Sequence, residues 1–203
     1  MYDVNGVTIA HLAATWWLNG LREPADRPWL LQDLDVDESI AKAEAAKQAG
    51  ADFVVVSIHC CSEYQTMPTS YQRDTNRRLI DSPAIDLVIG HHTHVVQPIE
   101  RPNDEFIAYG LGNFLSGQRR VAETTDGVIV LLDLVPCNGQ WVTREIRSVP
   151  TWEIGGTYRI LPAAETIAAG AGSLAATLRA SWYRTVGAIG AYGATGVSPV
   201  ARP

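Results

Sequence analysis

The chain has 203 residues, of which 46% are hydrophobic and 19% charged, a composition that supports a folded core and excludes a disordered or fibrous chain. Lysine and arginine number 16 against 22 acidic residues, so the formal net charge is −6. A protein that binds duplex nucleic acid normally carries a basic excess, and we therefore expect no nucleic-acid partner.

The first predicted element is a strand over residues 7–15, which follows the hairpin signal Asn5-Gly6. Only four residues precede that turn, so the partner strand is either a stub left by a truncated domain or a short, genuine edge strand. Asp35 then begins a helix with an acidic first turn, and that helix ends at a glycine. The apolar run at 53–58 that follows is typical of a strand covered on both faces.

The pattern of helix and buried strand repeats at once along the chain. Thr69 or Ser70 caps a second helix, and residues 85–89 form the next buried strand. Alternation of this kind over residues 36–90 predicts a parallel α/β sheet with right-handed crossovers. A third short strand is expected at 106–111.

The C-terminal half reads differently from the first half. Residues 127–135 and 141–149 flank an Asn-Gly turn and predict an antiparallel hairpin. Residues 163–182 carry apolar side chains at helical spacing and predict one packing helix, weakened by two glycines. The tail from Gly187 is rich in Gly, Ala and Pro, and we expect it to be loosely ordered.

The apolar stretches of the chain are short. None approaches the roughly 20 residues that a membrane-spanning helix needs. The N-terminus also lacks the basic region and the cleavage site of a signal peptide. The sequence therefore predicts a chain without a membrane span, which is cytoplasmic if it is complete.

Four of the five histidines lie at the carboxyl ends of two neighbouring predicted strands: His59 after the first, and His91, His92 and His94 after the second. Ligands of open α/β sheets bind at this edge, and imidazole is a common ligand of zinc, iron and manganese. A lone histidine is more often a hydrogen-bonded polar residue, whereas four at adjacent strand ends favour a metal site. We interpret His11, inside the first strand, as a packing or edge residue.

The residues that follow His59 allow several interpretations. Glu63 is a ligand, a partner of a ligand, a proton carrier or a solvated carboxylate. Cys60 and Cys61 lack the usual spacing of paired cysteine ligands and have poor geometry for bridging each other, so we interpret them as structural. The glycines of residues 109–114 allow the backbone to approach a ligand closely.

Three segments carry a family resemblance: SIHCCSEY, IGHHTHVVQPIE and IAYGLGNFLSGQ, in this order. They resemble the bacterial capsule-synthesis CapA family, which is associated with poly-γ-glutamate and is similar in fold to the calcineurin-like metallophosphoesterases. The resemblance covers most of residues 1–162 and implies a metallophosphatase-like α/β/β/α layered sandwich, with a C-terminal helix and Gly/Ala-rich tail at 163–203. The Gly-Asp and Asn-His motifs of such domains are missing, so the resemblance implies an N-terminally truncated domain. It also implies a location in the cell envelope.

The resemblance implies three kinds of site residue. The metal ligands, which would hold divalent Mn, Fe or Zn and belong to a dinuclear site in the complete domain, are His59, His92 and His94. The catalytic residues are Glu63 and His91. The substrate-binding residues are Tyr64 and Asn113. Cys61 stands where the family has glycine, and its side chain would crowd the ligands or shift the metal preference towards zinc.

Two functions follow from these residues. The first is a CapA-type capsule biosynthesis protein with a metal-dependent phosphoesterase-like hydrolase site. Its substrate would be an anionic polymer or a phosphoester, and its partners other capsule-synthesis proteins. The alternative is a non-catalytic remnant or scaffold component of a polymer-synthesis complex, because the acidic metal ligands are missing. A nucleotide-binding oxidoreductase is disfavoured, since no G-x-G-x-x-G follows a strand.

Overall fold

Two sheets and four α-helices make up the protein, for which a computed structural model describes residues 1–203. The strands are β1 (Tyr2–Val4), β2 (Val7–Thr15), β3 (Phe53–His59), β4 (Leu87–His91), β5 (Ile99–Glu100), β6 (Phe106–Ala108), β7 (Asp126–Cys137), β8 (Gln140–Ile154), β9 (Arg159–Pro162) and β10 (Val197–Pro199). The α-helices are α1 (Val36–Gln48), α2 (Ser70–Ile80), α3 (Ala163–Ala168) and α4 (Ala175–Ile189).

The first sheet has the strand order β1-β2-β3-β4-β6-β5. Its four central strands, β2, β3, β4 and β6, run parallel, and the edge strands β1 and β5 are antiparallel to their neighbours. The parallel core that the alternating pattern predicts is therefore confirmed. The second sheet has the order β10-β8-β7, with β9 also paired to β8. Strands β7 and β8 form the long hairpin expected around the Asn-Gly turn.

Side-chain caps begin the two helices that cover the first sheet. The Asp35 side chain accepts a hydrogen bond from the backbone N–H of Glu38, and Thr69 does the same for Gln72. Such caps satisfy backbone donors that have no partner inside the helix, and both begin their helices where the sequence predicts. None of the four helices combines the length and the apolar character needed to cross a bilayer.

Three clusters of buried apolar side chains separate four layers. The first, which includes Val56 and Leu79, lies between the first sheet and helices α1 and α2. The second, which includes Phe106 and Val128, lies between the two sheets. The third surrounds Trp182 and joins the second sheet to α3 and α4. The expected α/β/β/α layered sandwich is therefore confirmed.

The C-terminal quarter departs from the sequence-based expectation in two ways. The single helix predicted over 163–182 is wrong: α3 and α4 are separate helices because Gly170 and Gly172 adopt positive φ angles of 95° and 55° between them. The expectation of a loosely ordered tail also fails at its end. There, β10 pairs in parallel with β8 and extends the second sheet. Helices α3 and α4 both pack on the second sheet.

Candidate metal and substrate site

The predicted site residues gather at the carboxyl edge of the first sheet. Strands β3 and β4 are parallel and pair up to His59 and His91, so the loops that follow them emerge side by side. The ring centroids of His59 and His92 are 4.5 Å apart, and those of His92 and His94 are 6.4 Å apart. The structure therefore brings the three predicted ligands together. We call His59, His92 and His94 the histidine cluster.

The two loops at this edge have an unusual backbone. Ten non-glycine residues of the chain have a positive φ, and four of them lie here: Cys61 (87°), Tyr64 (59°), His92 (88°) and His94 (58°). A hydrogen bond of 2.8 Å from the Tyr64 N–H to the Thr93 carbonyl ties one loop to the other. Conformations of this kind cost energy and collect at functional sites, where the surrounding structure enforces them.

Residues 109–113 form the floor of this edge and pass very close to two strands. A Cβ at Gly90 would lie 2.0 Å from the Tyr109 carbonyl oxygen, and one at Gly127 would lie 2.4 Å from the Asn113 carbonyl oxygen. Glycine is therefore required at both positions. This close approach places Asn113 beneath the histidine cluster.

Asn113 determines the tautomer of His94. The Asn113 amide donates from Nδ2 to the Thr124 carbonyl at 2.9 Å, so its Oδ1 faces the imidazole, 2.8 Å from His94 Nδ1. Because Oδ1 only accepts hydrogen bonds, Nδ1 carries the proton. The Nε2 atom of a neutral His94 is then left with a lone pair. Asn113 is 8% exposed, and both of its polar side-chain atoms are engaged within the protein.

The other two cluster histidines have fewer partners. His92 Nδ1 is buried and has no hydrogen-bond partner. Burial lowers the pKa of His92, and the nearby His59 lowers it further, while Glu63 acts in the opposite direction. His59 Nδ1 lies 3.2 Å from the Thr15 hydroxyl. The cluster therefore contains a neutral imidazole with an unused nitrogen.

The donor atoms of the histidine cluster and Glu63 are of the types that bind divalent cations, but they lie too far apart to hold one ion. Neutral imidazoles and a nearby carboxylate are typical donors for zinc, iron and manganese. Glu63 supplies that carboxylate, with its Oε1 3.9 Å from His94 Nε2. In the observed arrangement, however, no three His, Cys, Asp or Glu side chains converge closely enough to hold one ion. The side chains would have to draw together to bind it.

His91 and His11 lie outside the cluster. His91 ends β4 in register with His59, is exposed and makes no side-chain hydrogen bond. His11 pairs with Val55, four residues before His59, and its Nε2 lies 2.8 Å from the Ser57 hydroxyl. His11 is thus a polar residue of the sheet, as the sequence indicates.

A disulfide joins Cys60 to Cys61, which corrects the expectation that these neighbours do not bridge. On an extended backbone adjacent side chains point in opposite directions. Here Cys61 has a φ of 87° that turns the chain sharply and brings the two sulfur atoms together. Neither sulfur is available as a thiolate ligand. The positive φ also explains why glycine suits this position.

Tyr64 stands at the rim of the cluster. Its ring stacks on that of His94 at 5.9 Å with an interplanar angle of 18°. Its hydroxyl donates to the Gln118 Oε1 at 3.3 Å, and the Arg120 guanidinium carbon lies 4.9 Å from the ring centroid. Sequence reasoning did not identify Arg120, because nothing in the sequence distinguishes it from the adjacent Arg119.

The chain is thus an α/β/β/α layered protein with a cluster of histidines at the carboxyl ends of its parallel strands. The family model described as "Bacterial capsule synthesis protein PGA_cap" matches residues 1–118, more than half of the chain. The chain belongs to this family. The family resemblance found in the sequence is confirmed.

Two curated relatives have names that refer to capsule or PGA biosynthesis. The chain is 32% identical over 151 residues to "Capsule biosynthesis protein CapA" of Bacillus anthracis, which covers 68% of this chain and 36% of that protein. It is 40% identical over 116 residues to "PGA biosynthesis protein CapA" of Bacillus subtilis, which covers 57% of this chain and 30% of that protein. The chain thus spans about a third of the length of these relatives.

One solved structure shows a distant likeness. A calcineurin-like phosphoesterase from Bacillus subtilis is 15% identical, with a TM-score of 0.40, over 76% of this chain and 46% of that chain. A likeness at this level carries no argument about function.

Proposed function

We propose that this chain acts in capsule or poly-γ-glutamate biosynthesis, in the cell envelope, and that the histidine cluster is part of a metal-dependent phosphoesterase-like hydrolase site. The observation that carries this proposal is that three imidazoles lie close together at the carboxyl edge of the sheet, with the tautomer of His94 set by Asn113. Family membership and the names of the relatives support the biological role. An anionic polymer or a phosphoester would be the substrate.

Each residue of the edge has a distinct task in this proposal. A divalent cation bound here would lower the pKa of a water molecule and so supply a nucleophile at neutral pH. His59, His92 and His94 would hold the cation, and Asn113 orients His94 as supporting hydrogen bonds orient metal-binding histidines elsewhere. Glu63 is close enough to the cluster to accept a proton. Tyr64 contributes to the wall that meets the substrate, and His91 is a polar neighbour of it.

We further propose that residues 1–162 form the family domain and that residues 163–203 are an addition packed on it. The third apolar cluster, which joins α3 and α4 to the second sheet, supports this division. Within this addition α3 and α4 pack on the second sheet and β10 extends it, so we assign it a role in stabilising the fold.

Metal binding by the purified chain tests the hydrolase proposal. We expect Mn²⁺ or Zn²⁺ to bind and to raise the midpoint of thermal unfolding, and we expect His92→Ala to weaken that binding at least about 10-fold. His11→Ala, which changes a histidine outside the cluster, is the matched control and should bind metal as the parent does. Absence of bound metal, or equal affinity in His92→Ala, would contradict the proposal.

The alternative is a non-catalytic scaffold component of a polymer-synthesis complex. The observation that favours it is that no three donor side chains converge on one point. Hydrolysis of an aryl phosphodiester by the metal-loaded chain separates the two functions. Turnover that is abolished in His92→Ala removes the scaffold alternative, whereas metal binding without turnover supports it.

A further inference from the structure

Two adjacent arginines near the candidate site have very different surroundings. Arg119 is locked into the protein: its Nη1 donates to the carbonyls of Ser116 and Gln118, each at 2.7 Å. Its Nη2 lies 3.1 Å from the Oε1 of Glu153, whose carboxylate is 1% exposed. The Glu153 carboxylate also accepts a hydrogen bond from the Ser116 N–H at 3.0 Å. Arg119 therefore anchors the segment 116–119 to the second sheet.

Arg120 is free where Arg119 is bound. Its side chain makes no hydrogen bond and no ion pair in the structure, and the residue is exposed. Its one contact of note is with the face of Tyr64, at 4.9 Å from guanidinium carbon to ring centroid. A cation in this position over an aromatic ring is attracted by the ring. All five N–H donors of the guanidinium remain available to a ligand.

The position of Arg120 matters because of what lies below it. The Tyr64 ring contacts both groups: it stacks on His94, and the Arg120 guanidinium lies over it. Glu63, the nearby carboxylate of the site, has its Oε1 3.9 Å from His94 Nε2 and forms no ion pair with Arg120. The charge of Arg120 is thus unneutralised by any side chain at the rim of the histidine cluster.

We propose that Arg120, held over Tyr64, is a binding subsite for an anionic oxygen group, a carboxylate or a phosphate, of the ligand that reaches the histidine cluster. Arginine forms short, charge-assisted and often bidentate hydrogen bonds with such groups. A chain with a net charge of −6 has no overall attraction for an anion, so recognition must be local. The location of this subsite rests on the proposed function of the cluster.

Anion binding to the metal-free protein tests the subsite. Inorganic phosphate and a γ-linked tri-glutamate peptide are titrated separately by calorimetry, and Arg120→Gln is expected to weaken at least one of them about 10- to 100-fold. Weakening confined to the peptide identifies a carboxylate site, and weakening confined to phosphate identifies a phosphate site. Arg120→Lys keeps the charge but lacks the planar guanidinium. Its affinity for the anion should therefore lie between that of the parent and that of Arg120→Gln.

The matched control is Arg179→Gln, which removes an exposed arginine of α4 that has no ion pair. It should bind both probes as the parent does. Affinity for both probes that is unchanged in Arg120→Gln, or reduced equally in Arg179→Gln, overturns the proposal. Metal affinity, measured in the same variants, should not change with Arg120→Gln. A chain that binds no metal but loses anion binding in Arg120→Gln refutes the hydrolase site and keeps the subsite.

Discussion

The two edges of the first sheet differ in how their polar side chains are hydrogen-bonded. At the amino edge, two carboxylates that precede strands accept hydrogen bonds from the backbone of the neighbouring strand. Asp52 accepts from the Thr8 N–H at 2.8 Å, and Asp86 accepts from the Val54 N–H at 2.6 Å. Asp86 also forms an ion pair of 2.7 Å with Lys47. At the carboxyl edge, by contrast, His92 Nδ1 and the Arg120 guanidinium have no hydrogen-bond partner.

This difference separates stability from function within one sheet. Buried polar groups that are fully bonded hold strands in place, whereas unbonded donors and lone pairs cost stability and remain available to a ligand. The positive φ angles at the carboxyl edge point the same way, because strained backbone persists where function requires it. Substitutions at the amino edge should therefore change folding, and those at the carboxyl edge should change binding.

The largest effect is expected at the amino edge, from Asp86→Ala. This change leaves the Val54 N–H and the Lys47 ammonium without their partner, and should lower the free energy of unfolding by about 2–4 kcal/mol. Urea denaturation measures it. The control is Asp37→Ala, which breaks the exposed ion pair with Arg78 and should cost about 0.5 kcal/mol or less. Equal losses in the two variants would show that the buried network adds no stability.

A smaller effect is expected at the carboxyl edge, from Asn113→Ala. Without the amide, His94 loses the acceptor that sets its tautomer, and metal affinity should fall about 10- to 100-fold. Asn113→Asp keeps an acceptor for His94 but cannot donate to Thr124, so it should lose stability and keep most of the metal affinity. The nitrogen chemical shifts of His94 report the tautomer directly. Undiminished metal binding in Asn113→Ala, with Nδ1 still protonated, would show that the amide has no orienting role.

Local signals in the sequence predict most of the main sheet. Capping side chains at Asp35 and Thr69 locate α1 and α2, and apolar runs locate β3 and β4, although β4 begins two residues later than its run indicates. The sequence also predicts the histidine cluster, because parallel strands bring their carboxyl ends to one edge of the sheet. These features depend on neighbouring residues or on a general rule of topology.

The remaining features depend on contacts between distant residues or on single backbone angles. The split between α3 and α4 is caused by the positive φ of two glycines, and the bridge between Cys60 and Cys61 follows the positive φ of the second cysteine. The contrast between Arg119 and Arg120 exists only once Glu153 and Tyr64 are placed beside them. The spacing of residues in the sequence therefore does not predict these arrangements.

The smallest expected effect is a pH dependence of stability caused by Glu105, which lies at the amino edge. Burial, with a contribution from Asp86, raises the pKa of Glu105 to about 7, and Lys47 and Arg101 offset this only in part. The buried Oε2 of Glu105 has no hydrogen-bond partner. The folded state therefore binds a proton that the unfolded state releases between about pH 4.5 and pH 7, so the stability of the parent falls as pH rises through this range.

Glu105→Gln should remove this dependence. The variant should become more stable than the parent by about 1 kcal/mol above pH 7, less than the roughly 3 kcal/mol of the full shift because the side chain is partly exposed. Denaturation curves at several pH values measure the difference. Glu44→Gln, an exposed carboxylate of α1 without an ion pair, should follow the parent at every pH. A Glu105→Gln curve that runs parallel to the parent from pH 4.5 to pH 8 would mean that burial does not raise the pKa of Glu105 in the folded protein.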